Sequence, residues 1–96
     1  MRVEARIRAK LSQALQPERL AVIDESARHA GHAGARPGGE THFRVEIVSA
    51  AFEGAGQLAR QRRVYEILKD ELKGGVHALS LSTLTPGEAK KPHAPV

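Results

Sequence analysis

The sequence predicts an α+β domain of element order αββαβ, with two helices covering one face of a three-stranded sheet, and three patterns carry that prediction. Apolar residues recur every four positions at Val3, Ile7, Leu11 and Leu15, the spacing that gives a helix a single apolar stripe. Thr41 to Val48 alternates instead, placing Phe43, Val45 and Ile47 on one face of a strand and His42, Arg44 and Glu46 on the other. A second helical stretch ends at Gly74-Gly75 and gives way to a β-compatible run.

The first helix spans Val3 to Leu15 and stops before Pro17, whose ring cannot continue it. Leu20 to Ile23 forms the first strand and runs into Asp24, Glu25 and Ser26. Residues 27–39, rich in Gly and small side chains, favour no regular element and make a long hairpin loop that carries His29 and His32. The second helix runs from about Gln57 to Leu72. At ~100° per residue Leu58, Val64, Tyr65, Leu68 and Leu72 fall in one arc, while Arg60 and Arg63 lie outside it. Gln61 falls inside that arc and would need a polar partner if buried. Val76 to Thr83 is the third strand, with His77 at its start, and it joins the sheet by a helical crossover while the first two strands pair as a hairpin. The folded domain is expected over 1–88, followed by a disordered tail over 89–96.

Bulk properties narrow the function. A chain of 96 residues suits one domain, and its 41% hydrophobic and 27% charged composition is that of a globular protein. No run reaches the ~18 apolar residues of a membrane span, and Met1 leads almost directly into the first helix, so a cytoplasmic protein is expected. Without cysteine there is no disulfide, no thiol nucleophile and no metal site built from the chain's own thiolates. With Phe43, Phe52 and Tyr65 as the only aromatics, the stacking platform used for single-stranded nucleic acids is missing. A hydrolytic triad of Ser26, His29 and Asp24 would rest on a strand end and a Gly-rich loop, without the rigid support and oxyanion donors it needs, so no enzyme and no small-molecule substrate are expected.

Several segments, in order, resemble the BolA-like family. Asp24-Glu25-Ser26, a His-containing loop and Glu40-Thr41-His42-Phe43 are similar to the family's first strand, loop and second strand. Ile47-Val48-Ser49 with Phe52-Glu53-Gly54, then Arg60, Arg62, Val64 and Tyr65, then Val76-His77-Ala78-Leu79-Ser80 with Thr85-Pro86, match its later signatures. The likeness covers about residues 5–88, and the loop histidines point to the His-loop, BolA1-type branch. Gln61 departs from the pattern, which usually has His there.

The resemblance implies a fold similar to a class II KH domain and partnership with a monothiol glutaredoxin, including heterodimers that share a [2Fe-2S] cluster. In that arrangement glutaredoxin and its bound glutathione supply thiolates, and the BolA-like chain supplies His77 together with a loop histidine, His29 or His32. Imidazole can replace thiolate on one iron of such a cluster, so a chain without cysteine is compatible with half a shared site. The alternative is a KH-like transcriptional regulator that reaches DNA phosphates through Arg60, Arg62 and Arg63. Against it, the one Gly-x-x-Gly segment, Gly31 to Gly34, falls in the hairpin loop rather than between helices, where KH domains clamp the backbone. His42 is read as a surface or structural residue and His93 as incidental.

Overall fold

A computed structural model describes residues 2–25 and 42–90. Helix α1 occupies Val3–Leu15, as its four-residue repeat requires, and buries Ile7, Leu11 and Leu15. It closes at Gln16, which adopts a left-handed conformation (φ 44°) and donates its N–H to Ser12 O ahead of Pro17. Strand β1 is Arg19–Asp24 and strand β2 is His42–Val48. They pair antiparallel, with Val22 opposite Val45. Strand β3, Ala78–Leu84, lies parallel to β2 on its other side, so the sheet order is β1-β2-β3 and the connection from β2 to β3 passes over one face.

Residue parity divides the sheet into two faces. Phe43, Val45 and Ile47 of β2, with Val22 of β1 and Leu79, Leu81 and Thr83 of β3, face the helices, and the core closes over them with Ile7, Leu11, Leu15, Phe52, Val64 and Leu68. The other face presents His42, the Arg44–Glu46 ion pair (3.1 Å), Ser80 and Ser82.

Between β2 and the second helix, Ser49 fastens three elements. Its Oγ donates to Leu15 O (2.6 Å) at the end of α1 and accepts from Ala51 N (3.1 Å), capping the 3-10 turn Ala50–Phe52, while its own N–H donates to Leu84 O (2.9 Å). The chain then reverses at Gly54, whose φ of 79° lies where side chains with a Cβ are strained.

The expected single helix over 57–72 is two: α2, Gln57–Ile67, and α3, Lys69–Lys73, separated at Leu68 (φ −101°, ψ 15°). This break also corrects the buried face. Leu58 and Tyr65 are 62% and 40% exposed, whereas Arg60, Val64, Leu68 and Glu71 are buried, because the stripe that meets α1 and the sheet is rotated from the purely apolar arc. Gln61 is half-buried. Glu71 is covered by α1: its Oε1 accepts from Lys10 Nζ (2.9 Å), and its Oε2 lies 2.9 Å from Arg6 Nη2 in a charge contact without hydrogen-bond alignment.

The third strand begins two residues later than expected, since Val76 instead plugs the core and donates its N–H to Glu71 O (3.3 Å). After β3 a short helix α4, Pro86–Lys90, carries regular structure through Ala89 and Lys90, past the expected start of the tail at 89. Reciprocal bonds begin it: Thr85 N donates to Glu88 Oε1 (2.9 Å) and Glu88 N to Thr85 Oγ1 (3.2 Å), a capping box with Pro86 in the first helical position. Residues 91–96, including His93, lie outside the described residues.

Side chains also reach the outer edges of the sheet. Arg8 Nη2 donates to Val22 O (3.2 Å) on β1, while on β3 Tyr65 Oη donates to Leu79 O (3.4 Å) and Gln57 Nε2 to Thr83 O (3.3 Å).

Candidate metal centre

His77 sits between Gly75, at φ 126°, and the first residue of β3. Only glycine adopts that backbone angle readily, and it turns the chain so that Val76 enters the core while His77 remains exposed. In the parallel register Ala78 lies opposite His42, which brings the two histidines together, with ring centres 6.2 Å apart and planes at 36°. His42 also ends the β1 ladder, where Glu25 N donates to His42 O (2.8 Å). The chain therefore leaves the sheet at Glu25 and returns at His42, both at the His77 end. His29 and His32 belong to the intervening segment and lie outside the described residues.

Among the described residues no group of three or more His, Cys, Asp or Glu side chains converges as a metal cage. At this end of the sheet His77 is exposed and His42 half-buried. His42, read from the sequence as surface or structural, is the neighbour of His77. Strand alternation revealed its face, but only the β2–β3 register reveals its partner.

The three arginines of the alternative reading do not act together. Arg62 and Arg63 are exposed on α2, with Arg63 Nη1 donating to Ala51 O (3.3 Å). Arg60, by contrast, is 6% exposed and makes four hydrogen bonds. Its Nε donates to Ala55 O (2.7 Å), Nη1 to Thr83 O (2.9 Å) and Glu88 Oε1 (2.7 Å), and Nη2 to Glu88 Oε2 (3.2 Å), while its guanidinium carbon lies 5.9 Å from the Phe52 ring centre. The bonds from Arg60, then that from Thr85 N, hold the Glu88 carboxyl down at about 2, and Glu88 in turn raises the Arg60 pKa. Arg60 is thus a clamp between α2, β3 and α4, and as a phosphate contact it is a correction to the sequence reading.

With this geometry in hand, the comparisons with known proteins are decisive for the family. The BolA profile, described as BolA-like protein, matches residues 11–88, and the chain belongs to the BolA-like family. It is 54% identical over 86 residues to BolA-like protein 1 of Mus musculus, covering 90% of this chain and 60% of that protein. The solved structure of BolA1 from Arabidopsis thaliana superposes with a TM-score of 0.81 at 40% identity, covering 96% of this chain and 99% of the other. These likenesses support the BolA1-type branch. A further relative, SufE-like protein 1, chloroplastic/mitochondrial, of Arabidopsis thaliana, is 51% identical over 87 residues, which is 86% of this chain but 24% of that protein. The chain thus spans 60% of the mouse protein and about a quarter of the SufE-like one.

Proposed function

We propose that this chain is a non-enzymatic partner of a monothiol glutaredoxin and shares a [2Fe-2S] cluster with it in a heterodimer, serving iron–sulfur cluster trafficking or iron and redox regulation. The observation that carries the reading is the exposed imidazole of His77, presented at the sheet end of a chain that belongs to the BolA-like family and has no thiolate of its own. The donor chemistry fits half a site: imidazole nitrogen is a known replacement for thiolate on one iron of such a cluster. His77 would hold that iron together with His29 or His32, and glutaredoxin and its glutathione would supply the thiolates. Likeness to a SufE-like protein supports an iron–sulfur context.

The test is anaerobic reconstitution with a monothiol glutaredoxin, glutathione, iron and sulfide, followed by size-exclusion chromatography and visible circular dichroism. A coloured 1:1 complex is expected, and His77→Ala should change its spectrum while the far-ultraviolet spectrum of the free chain stays the same. No complex, or one indifferent to His77→Ala, overturns the reading.

A further inference from the structure

His42 and His77 are neighbours on a solvent-facing end of the sheet, and their separation is one that a single ion can bridge. An imidazole nitrogen binds Zn²⁺ at ~2.0–2.1 Å, which puts the ion about 3.2 Å from the ring centre. Two rings sharing an ion then have centres about 5.2 Å apart at a tetrahedral angle and at most about 6.4 Å apart when opposed. The observed 6.2 Å is inside that limit. Closing the remaining gap of about 1 Å to the tetrahedral angle takes a side-chain rotation, which an exposed residue ahead of a strand can make.

We propose that His42 and His77 together form a two-imidazole site for a late first-row divalent cation, Zn²⁺ and its chemical neighbours. Neutral imidazoles suit Zn²⁺, Cu²⁺ and Ni²⁺, whereas Mg²⁺ and Ca²⁺ call for oxygen cages that this pair does not supply. The described residues supply these two imidazoles and no third His, Cys, Asp or Glu, so the pair leaves positions on the ion open. The backbone supports the arrangement. The β2–β3 register fixes the spacing of the two Cα atoms, and the turn at Gly75 keeps the second imidazole outside the core. The site is a property of the isolated chain and does not depend on a glutaredoxin partner, although an ion bound there occupies the imidazole that a shared cluster would use.

The experiment titrates ZnCl₂ into the untagged chain, followed by calorimetry and by the imidazole resonances of the five histidines. One ion per chain is expected, with the His42 and His77 resonances moving together. Removing a ligand outright costs at least the roughly tenfold in affinity known for the loss of a group that merely orients one, so His42→Ala and His77→Ala should each weaken binding about tenfold or more. His93→Ala should leave the isotherm unchanged. Because a strand-end alanine can loosen the ladder, His42→Gln is measured alongside, and thermal melts confirm that each variant is folded. Absence of binding under excess Zn²⁺ overturns the proposal. So does a His42→Ala variant that titrates like the wild type, because the ion then rests on other histidines. Neither outcome bears on the glutaredoxin reading, which depends on the cluster spectrum of the complex.

Discussion

Replacing Ser49 by Ala removes one oxygen from a fully buried position and tests whether that oxygen joins α1, β2 and the 3-10 turn. Two bonds disappear: the donation to Leu15 O at 2.6 Å and the acceptance from Ala51 N at 3.1 Å. A typical intramolecular hydrogen bond contributes ~0.5–1.5 kcal/mol net, so the pair contributes about 1–3 kcal/mol. The cost should fall in the upper half of that range, because Leu15 O belongs to the last turn of α1, where carbonyls lack helical partners, and loss of a cap costs ~1 kcal/mol by itself. We expect a destabilisation of about 2–3 kcal/mol. At ~4–8 °C per kcal/mol for a domain of this size, the midpoint falls by about 10–20 °C. Urea unfolding followed by circular dichroism measures the loss directly and should show an unchanged m value, with Ser80→Ala on the open face as the control, expected within ~0.5 kcal/mol of wild type. A loss below about 0.5 kcal/mol for Ser49→Ala would refute the reasoning, since water would then be serving Leu15 O and Ala51 N equally well.

The other expectations concern the charged contacts. Arg60→Lys keeps the charge but cannot reach Ala55 O, Thr83 O and both Glu88 oxygens at once, so amide exchange at Ala89 and Lys90 should quicken while α1 is unaffected; unchanged exchange would show that α4 does not depend on the clamp. Glu88 is held at about 2, below its ordinary 4.5, so the stabilisation it provides is fully present above pH 4.5 and is lost as pH falls through 4.5 toward 2. The stability difference between wild type and Glu88→Gln should shrink across that window, and a difference independent of pH would contradict the assignment. Glu71→Gln weakens a pair in which the acid is buried and its bases are partly exposed, so the loss should lie between the ~1 kcal/mol of a surface pair and the ~3–5 kcal/mol of a buried one, with a double-mutant cycle to Lys10→Ala isolating that contact.

The elements that were legible from sequence are those whose burial is decided within one segment. Val3, Ile7, Leu11 and Leu15 announce α1 without help from the rest of the chain, and the alternation from Phe43 to Ile47 announces β2 and its inner face. What stayed hidden depends on partners far along the chain. Arg60 falls outside the apolar arc of its helix, and its burial depends on Glu88, 28 residues on, just as the burial of Glu71 depends on α1, where Lys10 meets it from 61 residues earlier. The break at Leu68 has no Gly or Pro to mark it. Helix α4 is a different case, because Thr85-Pro86-Gly87-Glu88 carries both a capping box and a first-turn proline, a local signal readable in the sequence as it stands. For the candidate site, His77 was legible through family likeness, whereas its pairing with His42 needed the parallel register.

The donors that reach the sheet margins have a consequence for the protein in a crowded solution. A three-stranded sheet has two open borders, and each is a template on which a strand from another molecule can grow. Here Arg8 occupies the outward carbonyl of Val22 on one border, and Tyr65, Gln57 and Arg60 occupy those of Leu79 and Thr83 on the other. An incoming strand would have to displace a guanidinium at Val22 on one border, or a phenol at Leu79 and an amide and a guanidinium at Thr83 on the other, before its own ladder could form. The same side chains that seat the helices therefore also stand in the way of a strand added at either border.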